Sequence, residues 1–319
     1  MNPHILIHCV PEDYSAALRS DAREGLTRQH KRLSSRWCMD GRGRRLFERL
    51  TSGGDYILGM AERELLGQIA GGVIRSVRPR TVIHIGSIGL GRVRPLWHGL
   101  RSAIPVPTIA VCDTPHAALG RTLRPLSTEL PATDWYGMIC EIPTEIAVPP
   151  GEGRRLFTCM GENFGALHVA ERTRLLQSIR RHCQLGDQLL LTTTLRAADA
   201  LADLTREQPE GVAEFNQNVL YVLNHLLDTE CTETAFEHSF ARGGRRAEFR
   251  LRAKSDVRLP LLTLGFHIEL REGEEIATFG LTDFSTEAVS AELARAGFTV
   301  DNTWTADPPG VAIHLARAQ

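Results

Sequence analysis

The sequence predicts an α/β fold: a largely parallel sheet covered by helices, carrying a second, smaller α+β domain. Three observations predict it. A short β-branched run, Thr81–Ile85, leads into a glycine cluster at Gly86, Gly89 and Gly91. An apolar stripe then follows at Val93, Leu96, Trp97 and Leu100, so the pattern is strand, tight turn, helix. Further apolar runs at 108–112, 137–142, 156–160 and 188–195 are spaced as successive strands of one sheet. From about 199 to 284 the pattern changes, with Ala247, Phe249, Leu251 and Ala253 alternating against Glu248, Arg250, Arg252 and Lys254, as in an antiparallel insertion.

The 319 residues exceed what one ordinary core needs, so two domains are expected. Their boundaries are set at 61–198 plus 285–319 for the parallel sheet and at 1–60 plus 199–284 for the smaller domain. A formal net charge of -1 argues against a nucleic-acid binder, which would lean on many Lys and Arg contacts to phosphate. The cluster Arg242, Arg245, Arg246, Arg250, Arg252 and Lys254 alternates along a strand, the pattern of a solvated face. Seven scattered cysteines show no CxxC or Cys/His ligand spacing, which predicts reduced thiols, a cytoplasmic address and no metal site. The first ten residues lack a signal-peptide pattern, and no apolar run approaches the roughly 20 residues of a membrane span, so no membrane partner is expected.

Between the runs at 156–160 and 188–195 lies a helix. Leu175, Leu176, Ile179 and Cys183 form its apolar stripe, Arg172, Arg174, Arg180 and Arg181 face elsewhere, and Gly186 is expected to end it. A second helical stretch covers 215–227 and a third 287–296. Two terminal strands, 298–305 and 310–316, are joined through Asp307, Pro308 and Pro309.

The glycine turn after the first run lets backbone amides approach a cofactor at a helix N-terminus. Gly86, Ser87 and Gly89 are therefore candidate cofactor contacts. Asp113, about twenty residues on at the end of the next run, can accept hydrogen bonds from both hydroxyls of a ribose, or it can cap the following helix. Glu141 ends the run after that and can take an adenine amino group or stand as a solvated strand end. These residues fit a nucleotide cofactor without separating S-adenosylmethionine from NAD; the terminal strand pair favours the former, because class I methyltransferases end their Rossmann-like sheet with a hairpin whose last strand is antiparallel.

Several ordered motifs from about Leu33 to the C-terminus resemble the histidine-specific methyltransferase family of the ergothioneine pathway, which also includes fungal N-methyltransferases of tryptophan derivatives. Asp40-Gly41-Arg42-Gly43-Arg44-Arg45-Leu46-Phe47-Glu48 is similar to the family's Asp-x-x-Gly-Ser-x-Leu-Phe segment. Tyr56 with Glu62-Arg63-Glu64-Leu65-Leu66 resembles its Tyr-Tyr-x-Thr-Arg-x-Glu segment, and Met160-Gly161-Glu162-Asn163-Phe164-Gly165 its Leu-Gly-Ser-Thr-Ile-Gly strand ending. Gly211-Val212 through Phe215-Asn216-Gln217-Asn218 follows its Gly-Val-Thr-x-x-Phe-Asn-x-Asn helix. Gly273 to Thr278, Ala296-Gly297-Phe298 and Trp304-Thr305 to His314-Leu315 complete the series.

The resemblance implies a class I methyltransferase domain that binds S-adenosyl-L-methionine through Gly86, Ser87, Gly89, Arg92, Asp113, Glu141 and Gly161, plus a substrate domain. It also implies Tyr56 as the residue that orients the acceptor. The chain departs from the family in two places. Glu-Leu-Gly-Ser-Gly-Thr before a lysine is here His84-Ile85-Gly86-Ser87-Ile88-Gly89 before Arg92, so a branched side chain enters the turn. The positions of a tyrosine, an asparagine, a second tyrosine and the imidazole-gripping glutamate and serine are here Met39, Ala166, Arg206, Phe279 and Leu281. With Phe249 these predict an apolar wall, with Arg206 placed to hold a carboxylate. The expected substrate is a small amino-acid-like amine other than histidine, with a place in secondary metabolism; the alternative is a catalytically silent relative that binds a ligand or partner.

Overall fold

The computed structural model describes residues 2–51, 56–100, 108–115, 118–306, 308 and 310–319. Its elements run β1 (His4–Ile7), α1 (Pro11–Leu26), β2 (Lys31–Arg32), α2 (Gly41–Thr51), α3 (Ile57–Val77), β3 (Thr81–Ile85), α4 (Arg94–Leu100) and β4 (Thr108–Asp113). There follow α5 (Leu119–Glu129), β5 (Trp135–Ile139), β6 (Arg155–Cys159), α6 (Asn163–Ala166), α7 (Val169–His182), β7 (Gln188–Thr194), α8 (Ala197–Glu207) and α9 (Pro209–Leu227). The chain ends with β8 (Phe236–Gly243), β9 (Arg246–Ala253), β10 (Val257–Leu261), β11 (Phe266–Leu270), β12 (Glu275–Thr282), α10 (Thr286–Arg295), β13 (Phe298–Thr305) and β14 (Val311–Ala318).

These elements form two compact units. The larger comprises residues 1–10, 54–196 and 283–319 and is built on one eight-stranded sheet of order β1-β5-β4-β3-β6-β7-β14-β13. β3 pairs in parallel with both β4 and β6, so the chain order reverses beside β3 and creates the switch point at which open sheets bind ligands. Every residue of β3 is buried, and its Val82, Ile83 and Ile85 suit a strand covered on both faces. β14 runs antiparallel between β7 and β13, the terminal hairpin expected of a class I methyltransferase. Asp307 and Pro309, expected in its connection, lie outside the described residues.

The main helix of this sheet, α7, ends at His182, four residues before Gly186; that glycine has φ 86° in the turn that leads into β7. The fifth strand stops at Ile139 instead of reaching Ile142, leaving Cys140 and Glu141 in the loop beyond it. β1 adds an edge strand, pairing in parallel with β5, so the first residues belong to this unit and not to the smaller domain in which the sequence had placed them.

The smaller unit, residues 11–53 and 197–282, holds a four-stranded sheet of order β2-β12-β9-β8 and the hairpin β10–β11. The alternation along β9 is as expected: Ala247, Phe249, Leu251 and Ala253 are buried between more exposed Glu and Arg. Two motif residues on α9 tie this unit together. Asn216 donates to the Arg250 carbonyl at 2.8 Å and receives the Thr278 hydroxyl. Asn218 donates to Asp40 Oδ1 at 2.7 Å, the same oxygen that accepts the Gly43 N–H at 2.7 Å. A Cβ at Gly43 would stand 1.8 Å from the Cys38 carbonyl oxygen, so the fold admits only glycine there.

Two histidines in the large sheet are fully buried. His84 Nδ1 lies 2.7 Å from the Thr158 hydroxyl, and His314 spans the Thr193 and Thr303 hydroxyls at 2.9 and 3.0 Å. Burial lowers each pKa to about 4. The unfolded chain therefore takes up protons first as pH falls, so the stability from keeping each ring neutral is complete above about 6.5 and drains away toward 4. Each ring is expected to remove about 2 kcal/mol of stability at pH 5. Urea unfolding at pH 7 and pH 5 checks this: the His314→Gln protein should lose less between the two than the wild type, and equal losses would contradict it.

Candidate active site

The C-terminal ends of β3, β4, β5 and β6 lie side by side, and each carries a residue expected in the cofactor site. At the end of β3 the Gly86 N–H donates to the Cys112 carbonyl at 2.8 Å. Gly86 (φ 86°) and Gly89 (φ 73°) take the two left-handed positions of the turn. Ile88, between them, is therefore spared a positive φ. A Cβ on Gly86 would stand 2.7 Å from the Asn163 amide, whose Nδ2 donates to the Met160 carbonyl at 2.7 Å and to the Ile85 carbonyl at 3.4 Å, joining the ends of β6 and β3.

Asp113, the last residue of β4, is 3% exposed and latches this turn. Its Oδ2 accepts the Ser87 N–H at 2.6 Å and the Ser87 hydroxyl at 2.5 Å, and its Oδ1 accepts the Thr114 N–H at 2.7 Å. The N-cap of α5 is Ala118. Two residues past β5, the half-buried Glu141 is held alongside because the Cys140 N–H donates to the Asp113 carbonyl at 2.8 Å.

Across the switch point, Arg92 folds back over the turn. Its guanidinium donates two parallel hydrogen bonds to Glu162, at 2.9 and 2.8 Å, a geometry that is strong and directional. It also lies 3.8 Å from Glu62 and 5.8 Å from the centre of the Tyr56 ring. Gly59 makes room, since a Cβ there would meet Arg92 Cδ at 3.0 Å. Burial would lower the Arg92 pKa, but Glu162 outweighs it and drives it upward. Burial acts to raise the Glu162 pKa, but the charge and hydrogen bonds of Arg92, with further hydrogen bonds to the carboxylate, together lower it, so Glu162 stays ionised. For Glu62 burial prevails over Arg92 and its pKa rises. Tyr56, buried at the start of α3 beside Glu162, is pushed well above the ordinary phenol range, first by burial and then by that carboxylate.

Glu62 carries a role that its sequence segment did not disclose. A signal was present: the buried face of α3 reads Leu58, Glu62, Leu65, Leu66, Ala70 and Val73, so one carboxylate interrupts an apolar helical stripe. Gly161, on the far side of the site, donates its N–H to Glu62 Oε1 at 2.5 Å.

The expected substrate residues are placed differently. Ala166 ends α6 in the larger unit and is buried; Met39 is half-buried in the smaller. Phe249, Phe279 and Leu281 are buried, and Phe279 joins Phe47, Phe215 and Phe249 in an aromatic cluster with ring centres 5.4 to 5.8 Å from its own. Arg206 departs from expectation. It stands on the exposed side of α8, its side chain 69% exposed, paired with Asp203 at 2.9 Å and Glu207 at 3.1 Å. Its own helix neighbours satisfy it in solvent, so it is no buried carboxylate clamp.

The sequence profile of the histidine-specific, SAM-dependent methyltransferase family matches residues 18–318. The histidine N-alpha-methyltransferase of Mycobacterium tuberculosis is 30% identical over 303 residues, 94% of each chain. That of Mycolicibacterium smegmatis is 30% identical over 304 residues, 92% of each. Among solved structures, the CcbJ methyltransferase of Streptomyces caelestis superposes over 80% of this chain and 96% of its own, with 13% identity and a TM-score of 0.43. Fold and relatives together define a class I methyltransferase that uses S-adenosylmethionine. The chain belongs to the histidine-specific methyltransferase family.

The residues present fit that cofactor. The glycine turn lets backbone approach an adenosyl group, two acids stand at adjacent strand ends for its hydroxyl and amino donors, and a guanidinium with two carboxylates complements an α-amino-acid end. The cluster also has a stability signature. Arg92→Met leaves two buried carboxylates with no cation, which costs about 3–5 kcal/mol. Urea denaturation should show this loss, with Glu162→Gln added to the same chain restoring part of it; a loss below about 1 kcal/mol would mean the pair is solvent-relaxed.

Proposed function

We propose that the chain methylates the nitrogen of a small amino-acid-like amine other than histidine. The observation that carries this reading is the pair Phe279 and Leu281 on β12. Both are apolar and buried at positions where the resemblance sets the glutamate and serine that grip an imidazole. Met39 and Ala166 likewise replace a tyrosine and an asparagine. Each lost partner of a buried polar substrate costs on the order of 1–3 kcal/mol, so the four losses together remove specific binding of histidine. The names of the mycobacterial relatives, each 30% identical to this chain, describe their own substrate.

S-adenosylmethionine supplies a methyl group on a sulfonium, a leaving group that needs no further activation. Positioning is therefore the main task of the chain. Gly86, Ser87 and Gly89 offer backbone to the adenosyl half, Asp113 takes the ribose hydroxyls in place of part of its bonding to Ser87, and Glu141 takes the adenine amino group. Arg92 and Gly161 border the amino-acid half. Tyr56 orients the acceptor. Apolar surroundings lower an ammonium pKa and so raise the share of neutral amine whose lone pair attacks.

The test is a transfer assay with labelled methyl donor against histidine and a panel of aromatic and aliphatic amines and amino acids. Label is expected on the nitrogen of a non-histidine acceptor with histidine at background; turnover of histidine comparable to the best acceptor would overturn the reading. Asp113→Ala should weaken donor binding at least tenfold by calorimetry, and unchanged affinity would remove Asp113 from the cofactor site.

A further inference from the structure

We propose that Glu62 and Tyr56 form a buried subsite for a protonated amine, the ammonium group of an amino-acid-like ligand. The inference rests on reading this edge of the sheet as the methyl-donor site. Tyr56, Gly59 and Glu62 recur every three residues, so the tyrosine, the gap filled by Arg92 and the carboxylate share one side of the start of α3.

The charges there do not balance. With both carboxylates ionised, Glu62 and Glu162 outnumber the single positive charge of Arg92 in a region where Glu62 is 1% exposed. Both Arg92 amino groups are committed to Glu162. Glu62 Oε1 is satisfied by the Gly161 N–H, whereas Oε2 is buried without a hydrogen bond and has Arg92 Nη1 only at 3.8 Å. The Thr192 hydroxyl lies 3.5 Å from Met160 Sδ and close enough to Glu62 to favour its charged form, but it brings no charge. The Tyr56 hydroxyl is likewise buried and faces Glu162, which leaves its oxygen lone pairs to accept. A buried carboxylate oxygen in this state either keeps a proton or meets a cation. An ammonium brings the missing charge and three N–H donors, and Glu62 Oε2 with the Tyr56 oxygen supplies two acceptors. Above Gly161 (φ 69°) there is room for one further atom: a Cβ there would stand 3.4 Å from Arg92 Nη2 and 3.9 Å from Glu62 Oε2.

The ammonium can come from the donor's methionyl end, or from an acceptor bound before its nitrogen gives up the proton that methylation requires it to lose. Calorimetry separates the sources with three probes: S-adenosylhomocysteine, 5′-methylthioadenosine, which lacks the amino-acid half, and 2-phenylethylamine titrated onto protein saturated with S-adenosylhomocysteine. Glu62→Gln is expected to weaken an ammonium-bearing probe at least tenfold and to leave methylthioadenosine within twofold. A loss on S-adenosylhomocysteine assigns the subsite to the donor, and a loss on the amine alone assigns it to the acceptor. Tyr56→Phe, which removes only the hydroxyl, should weaken the same probe at least threefold. The proposal is overturned if no ammonium-bearing probe weakens, or if methylthioadenosine weakens in parallel, because Glu62 would then act only by holding the Gly161 N–H. An amine too weak to measure on the wild type leaves S-adenosylhomocysteine to decide. If the wild type binds no S-adenosylhomocysteine, the donor-site reading fails; if it does and Glu62→Gln changes nothing, only the ammonium subsite fails.

Discussion

The paired hydrogen bonds between Arg92 and Glu162 are the interaction on which the active-site edge depends. They join the loop after β3 to the loop after β6 across the point where the sheet reverses its chain order. Such a pair is costly to desolvate and is retained only where its geometry repays that cost. Here the two parallel bonds do so, while Tyr56 and Gly59 shape the space on either side. The family motif carries a serine where this chain has Glu162, and a lysine where it has Arg92. The two departures answer each other: a fork-shaped donor is matched by a two-oxygen acceptor.

A second constraint works at the end of β4. Asp113 fastens Ser87 through both its N–H and its hydroxyl, and the strand pairing holds Cys140 and Glu141 next to it. Carboxylates at adjacent strand ends and a turn with left-handed glycines at 86 and 89 are consequences of parallel-sheet geometry before they are chemistry. The same sheet that buries Ile83, Phe157 and Leu189 in its core thereby sets the polar groups of the site at its rim.

Much of this was legible in the sequence. Apolar runs marked the inner strands because strands buried on both faces show no alternation, and the glycine cluster with Asp113 marked the rim. β1 was not legible: its four residues, His-Ile-Leu-Ile, form a largely exposed edge strand whose place is set by pairing with β5. The clamp assigned to Arg206 failed because its charge is answered locally by Asp203 and Glu207, a pairing that helix spacing could have warned of. Glu62 was missed since a carboxylate within a motif reads as surface until helix periodicity puts it among Leu58, Leu65 and Leu66. Asn216, Asn218 and Asp40 stand in motifs shared with the family, yet in this structure they hold one unit's helices and strands together.

The central claim is that the rim of β3 to β6 is the methyl-donor site, with acids at Asp113 and Glu141 for the adenosyl half and the Arg92, Glu162 and Glu62 charges at the amino-acid half. A crystal structure with S-adenosylhomocysteine tests it most directly. The account predicts ribose oxygens within about 3 Å of Asp113 and the thioether beside Gly161 on the Tyr56 side. A ligand bound elsewhere, or a turn blocked by Ile88 with Asp113 still fully engaged by Ser87, would contradict it.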